Sequence, residues 1–171
     1  LSVCRTVDKI ILPRNVHKSV INALVLCGAE PVYVEAKVNP RIGIAMGVEV
    51  EEMRRVMDEH PDAAAVFINN PTYYGIKKIA ELAHERGMKV LADEAHGTHL
   101  YFGENLPMPG IAAGADMAAV SMHKSGGSLT QSSILLCGPS MDAEYVRQII
   151  NLTQTTSASY LLLSSLDISR R

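Results

Sequence analysis

Tryptophan is absent from this 171-residue chain, and two phenylalanines and six tyrosines are its only bulky aromatics. An aromatic platform for stacking single-stranded nucleic acid is therefore excluded. Charge of one sign is missing too. Sixteen Lys and Arg against eighteen Asp and Glu leave a formal net charge of −2, too even for a phosphate-neutralising surface. No apolar run approaches the roughly 18 residues of a membrane span. Leu1 to Asp8 contain no apolar segment of the signal-peptide kind, and the chain does not start with methionine. Cysteines are few and odd in number. Cys4, Cys27 and Cys137 lie far apart without a CxxC pair, which excludes a disulfide framework or a cysteine zinc site and fits a reducing cytoplasmic setting. Repeats, low-complexity tracts and linkers are also lacking.

What remains is ordinary globular protein: 47% hydrophobic and 20% charged residues. The length predicts one domain or part of a larger one, and a complete domain of this size buries roughly 70% of its unfolded surface. Short apolar runs at Lys9–Leu12, Val32–Val34, Ala63–Ile68, Met88–Ala92, Met117–Val120 and Ser133–Leu136 read as strands. Helical spacing appears between them. Val16, Val20, Leu24 and Cys27 form one stripe within Asn15 to Cys27, stopped by Gly28. Glu49 to His60 is a second helix, closed by Pro61. Ile76, Ile79, Ala80 and Ala83 mark a third, Tyr145 to Ile150 a fourth, and Ser157 to Arg171 a last helix-like stretch. Continuously apolar strands alternating with helices predict an α/β fold whose mainly parallel sheet is covered on both faces, a three-layer α-β-α arrangement.

In such sheets, ligands bind beyond the carboxyl ends of the strands. Three of those ends are unusually polar: Asn69-Asn70 after the third strand, Asp93-Glu94-Ala95-His96 after the fourth, and Ser121-Met122-His123-Lys124 after the fifth. Lys124 precedes a Gly/Ser-rich loop. It is either an amine that bonds to a carbonyl compound, activated by partial burial, or a solvated loop lysine. Ser121, Ser125, Ser128 and the amides of Gly126 and Gly127 suit a phosphate. Asp93 either holds a protonated ring nitrogen or caps a turn. His17 either stacks on a planar ring or is an ordinary exposed histidine. The cluster Asp93, Glu94, His96 and His99 also looks like a metal site, which leaves open a metal-dependent hydrolase using Asp93, His96 and His99. The string Asp93-Glu94-Ala95-His96 matches the box of nucleic-acid-dependent ATPases, but the phosphate loop those enzymes need is absent.

Longer strings decide among these options. Leu12-Pro13-Arg14-Asn15-Val16-His17-Lys18-Ser19, Val90 to Gly97, Ser121 to Ser133, and Gln154-Thr155-Thr156-Ser157 together resemble the central part of the Orn/Lys/Arg decarboxylase family. That family has the aspartate-aminotransferase-type fold and uses pyridoxal 5′-phosphate (PLP). The resemblance runs over nearly the whole chain. It implies decarboxylation of arginine, lysine or ornithine to the amine and CO2. By the same resemblance, Lys124 carries the cofactor covalently, Asp93 pairs with the pyridine nitrogen, and His17 stacks on the ring. His96 lies beside Asp93, and Ser121 and His123 help hold the phosphate; the chemistry of decarboxylation adds a reprotonating acid near Lys124 or His123. Thr155 reaches the cofactor phosphate of a partner subunit, which implies a homodimer or higher homo-oligomer. No metal, nucleic acid or membrane is implied.

Some features depart from the family pattern. Thr6-Val7-Asp8 stand where Pro-Gly-Asp is usual, and Tyr73-Tyr74-Gly75 run almost directly into the third helix, as if a few residues including its cap were deleted. Residues 1–171 are expected to form a partial PLP-binding major domain, without the N-terminal phosphate loop or the C-terminal small domain, and to be weakly active or inactive alone. An aminotransferase on the same scaffold, or an inactive binding and assembly module, are the competing expectations.

Overall fold

Strands with large apolar side chains at consecutive positions need cover on both sides, and that need organises the molecule. The computed structural model describes residues 1–70 and 75–171. Its strands are β1 (Lys9–Pro13), β2 (Glu30–Val34), β3 (Ala65–Asn69), β4 (Lys89–Glu94), β5 (Met117–Val120) and β6 (Ile134–Cys137). Its helices are α1 (Lys18–Cys27), α2 (Val50–Glu59), α3 (Ile76–Glu85), α4 (Met122–Ser125), α5 (Ala143–Thr153) and α6 (Tyr160–Ser169). One sheet runs in the order β2-β1-β3-β4-β5-β6. The first five strands are parallel, and β6 returns antiparallel to β5.

Side chains alternate across this sheet. Ile11, Val66, Ile68, Val90, Ala92 and Ala118 point to one face, where Met53, Val56 and Met57 of α2 and Ile79, Leu82 and Ala83 of α3 complete the larger core. Ile10, Leu12, Ala65, Phe67 and Leu91 point to the other, under Val20, Leu24 and Cys27 of α1. The result is the three-layer α-β-α fold, with the α1 layer thinner.

Two local departures have clear causes. Helical spacing in α1 extends back to Asn15, but the helix begins at Lys18, because the His17 ring caps it. His17 thus stands just before the first turn rather than within it. Between β2 and α2, residues 35–49 form a narrow hairpin with a single bridge, Val38 to Ala45. It is too short to show alternation. The expected deletion near Gly75 involves Tyr73 and Tyr74, which lie outside the described residues. Gly75 itself is the N-cap of α3 and supplies no side-chain cap.

Val7 is the third departure. It has φ of 65°, in the left-handed region where a β-branched residue is strained. Its N–H bonds the Gly28 carbonyl at 2.8 Å, which fixes the turn into β1. The resemblance leads to an expected glycine at this position. Val7 is exposed, so trimming its side chain forfeits little burial. Val7→Gly is therefore expected to stabilise the protein by about 1 kcal/mol, relief of strain outweighing the added freedom of the unfolded chain. Urea unfolding of the two proteins checks this, and a destabilised variant would show that the turn carries no strain.

Candidate active site

The chain leaves β1 to one side for β2 and crosses to the other side for β3. Crevices at the carboxyl ends of strands beside such a reversal are where open α/β sheets bind ligands. An open cavity of about 950 Å³ lies there, on the face that α1 covers only in part. Part of its lining is apolar, with Leu24, Phe67, Leu91, Met117 and Ala119. The rest is polar and brings together His17, Asp93, His96, Ser121, His123 and Lys124. Six of the seven residues to which the resemblance gives a role thus share one cavity, although they span more than a hundred positions of sequence.

Each arrives there for a local reason. Asp93 is the penultimate residue of β4, on the same face as Leu91. Its Oδ1 accepts from the Ala95 N–H at 2.9 Å, which ties the carboxylate to the turn that follows. Among the described residues, Oδ2 has no partner. The turn-cap and ligand-holding expectations for Asp93 are therefore compatible, one oxygen serving each. The His17 Nδ1 accepts from the Ser19 N–H at 3.2 Å and lies 2.9 Å from the Ser19 hydroxyl. The residue is exposed and lines the cavity.

Ser121 caps α4 through its backbone. Its side chain makes no capping bond and so stays on the cavity. The single turn of α4 then presents His123 and Lys124. His123 Nδ1 lies 2.8 Å from the Ser132 carbonyl. A carbonyl can only accept, so Nδ1 carries the proton and, in the neutral ring, Nε2 is left as an acceptor. Lys124 is exposed, not partly buried as its proposed chemistry suggested. The Gly126 amide is likewise committed, donating to Met122 O at 2.8 Å, so it does not serve as an anion donor. His96 is exposed at the rim. Thr155 is not among the cavity-lining residues. It sits between α5 and α6, where its hydroxyl accepts from the Ser157 N–H at 3.1 Å.

Alternation along β4 separates two carboxylates adjacent in sequence. Asp93 faces the cavity while Glu94 is buried on the opposite face. That separation takes Glu94 away from Asp93, and among the described residues no group of three or more His, Cys, Asp or Glu is placed to hold a metal ion. Sequence reading did not single out the cavity residues Asn15, Ser19 and Ser133, or the apolar floor. Counting back in twos from Asp93 and Ser121 identifies Leu91, Ala119 and Met117.

A protonated heteroaromatic ring bearing an aldehyde and a phosphate asks for an anion, an amine, a flat partner and several donors. The cavity supplies a carboxylate with one oxygen unengaged among the described residues, a primary amine, three imidazoles and the hydroxyls of Ser19, Ser121 and Ser133. The donor set fits.

Comparison with known proteins agrees with this geometry. Residues 1–171 match the family described as Orn/Lys/Arg decarboxylase, major domain. The chain is 51% identical to an arginine decarboxylase of Halalkalibacterium halodurans and 47% identical to one of Bacillus subtilis, each over 176 aligned positions covering all of this chain. It spans only 36% of the length of each relative. Among solved structures, the constitutive lysine decarboxylase of E. coli superposes with a TM-score of 0.81 at 21% identity, over 98% of this chain and 26% of the other. A PLP-dependent aminotransferase from Streptococcus suis superposes at 0.74 and 18% identity, over 99% of this chain and 45% of the other. At those identities the likeness is one of fold.

Proposed function

This chain belongs to the Orn/Lys/Arg decarboxylase family, and we propose that its cavity serves the PLP-dependent decarboxylation of a basic amino acid, with arginine the first substrate to test. The observation that carries the reading is the meeting of Asp93 and Lys124, from the ends of neighbouring parallel strands, in one cavity with His17, His96 and His123. Similarity to arginine decarboxylases supports the choice of arginine.

The residues divide the work. The Lys124 amine is the covalent attachment point. The Asp93 carboxylate would pair with the ring nitrogen and keep it protonated by a charge-assisted hydrogen bond. His17 would stack on the ring, and His96 would lie near it beside Asp93. Ser121 and His123 contribute to the phosphate site. When bound, PLP supplies an electron sink for the pair left on Cα as CO2 departs. The chain must then deliver a proton to Cα. Lys124 and His123, side by side on α4, are the groups placed to do so. The side chains of Leu91, Met117 and Ala119 offer water no hydrogen-bond partner along that part of the cavity.

Thr155 fits a role at a subunit boundary. Large exposed apolar side chains, Leu152, Tyr160 and Leu161, stand on the helices either side of it. An uncovered apolar surface of this kind marks an association site, and a second copy of the protein is the partner we propose. No helix among the described residues is long and apolar enough to cross a membrane. The three free cysteines support a cytoplasmic location.

The test is a product assay on the complete gene product with PLP and, in turn, arginine, lysine and ornithine. CO2 and the corresponding amine are expected, with arginine turned over best. Formation of a 2-oxo acid without CO2 would replace this reading by the aminotransferase one, and no product from any substrate would leave a binding role.

A further inference from the structure

Directly behind Asp93 lies a carboxylate that the proposed chemistry does not use. Glu94 is 0% exposed. Burying a carboxylate is costly unless its oxygens are satisfied. Three donors from three segments satisfy this one. Asn70 Nδ2 donates to Oε1 at 2.5 Å, the Gly110 N–H donates to Oε1 at 2.8 Å, and the Tyr101 hydroxyl donates to Oε2. Burial, and after it the Glu94 carboxylate, push the Tyr101 hydroxyl far above its ordinary range, so it stays a donor. The fit is close. A Cβ added at Gly110 would stand 3.0 Å from Oε2, and one at Gly97 would stand 3.1 Å from the Glu94 Cβ.

The partners of Glu94 reach back to the cavity. Asn70 lines it, and the Asn70 N–H bonds the Asp93 carbonyl at 2.8 Å. Tyr101 ends the short turn of residues 98–101, whose Thr98 hydroxyl bonds the Ser121 carbonyl at 3.2 Å. That same carbonyl accepts from the Lys124 N–H at 3.1 Å. Glu94 therefore sits at the crossing of the segments that carry Asp93, Asn70, Ser121 and Lys124. An apolar residue of similar volume would fill the space but would leave three donors unpaired and the segments untied.

We propose that Glu94 is a positioning residue, whose buried carboxylate locks the ends of β3, β4 and β5 together so that Asp93 presents a single orientation to the ring nitrogen of PLP. This rests on the reading of the cavity given above. Glu94→Gln preserves the lock, because the amide oxygen still accepts from Asn70 and Gly110 while its N–H donates to the Tyr101 oxygen. Glu94→Ala abolishes it. Gly110→Ala displaces the carboxylate without removing any polar group.

The test uses the complete gene product, with three readouts for each variant: the thermal midpoint, PLP affinity by visible absorbance, and the pH dependence of the bound-cofactor spectrum. Glu94→Ala and Gly110→Ala are expected to bind PLP at least about tenfold more weakly, the order seen when groups that orient a ligand's direct partners are removed, and to shift the pH midpoint of the spectrum. Glu94→Gln is expected to stay near wild type in both. Tyr101→Phe, which keeps the ring and loses one donor, is expected to change both in the same direction but less. It decides the matter should the other two variants not fold. Lowered thermal midpoints with unchanged affinity and spectrum would overturn the proposal and leave Glu94 a structural residue only. Wild-type protein that gives no bound-cofactor spectrum would overturn the PLP reading, and this inference with it.

Discussion

Lys124→Ala is expected to lower kcat/KM by at least about a thousandfold, the loss typical of removing the group that bonds covalently in the reaction. It should do so without measurable loss of stability. Lys124 is exposed, in a helix of only four residues, and makes no ion pair among the described residues. Borohydride reduction followed by peptide mapping provides a second readout. The wild-type adduct should map to Lys124, and the variant should carry none. Lys124→Arg separates charge from chemistry. The guanidinium keeps the positive charge at the cavity mouth but stays protonated at any working pH, so it cannot act as an attacking amine. It should be as inactive as alanine while binding the phosphate-bearing cofactor more tightly than alanine does. A plain solvated loop lysine, the other expectation for this position, predicts near-wild-type activity for both substitutions. Either variant retaining more than about a tenth of the activity, a loss too small for the removal of a covalent group, would move the covalent role away from Lys124.

The sheet was legible because its signals are local. β5 occupies the same four residues, Met117–Val120, that its apolar run predicts, and the other strands shift by no more than two residues at either end. The polar ends of β3, β4 and β5 were also visible, since a buried strand that turns abruptly polar is turning toward a ligand or toward water. The contacts made beyond each element were not legible. Nothing in the string Asp93-Glu94 says that one carboxylate meets solvent and its neighbour meets Asn70, Tyr101 and Gly110, because those donors lie 24, 7 and 16 residues away. The start of α1 was misplaced by a few residues for a related reason. Apolar spacing continues through Val16, but the His17 ring competes for the helix's first N–H groups and ends the pattern there. Thr155 is a third case. Its proposed role depends on a second subunit, so neither sequence spacing nor the geometry of one chain can bring it to the cavity.

Asp93→Asn should act on the chemistry more than on binding. The substituted amide fits the same volume, and its oxygen can keep the 2.9 Å bond from the Ala95 N–H that Oδ1 accepts. The NH2 group then occupies the place of Oδ2 and offers a donor where a protonated ring nitrogen needs an acceptor. That nitrogen gives up its proton, and the electron sink weakens at the step where negative charge develops on Cα. An interaction that strengthens toward the transition state appears in kcat more than in KM. The expected loss in kcat is about a hundredfold to a thousandfold, in line with removal of one aimed electrostatic group from an active site, with the KM for arginine changed little. Asp93→Glu restores the anion at the wrong reach, so partial recovery is expected. The Glu94 network gives this prediction its second control. If Asp93 works only because β4 ends in a fixed place, Asp93→Asn combined with Glu94→Ala should lose less than the product of the two single losses, since both act through one hydrogen bond. Multiplicative losses would show that Glu94 acts elsewhere, and an Asp93→Asn protein within about tenfold of wild type in kcat would remove the pyridinium role from Asp93 altogether.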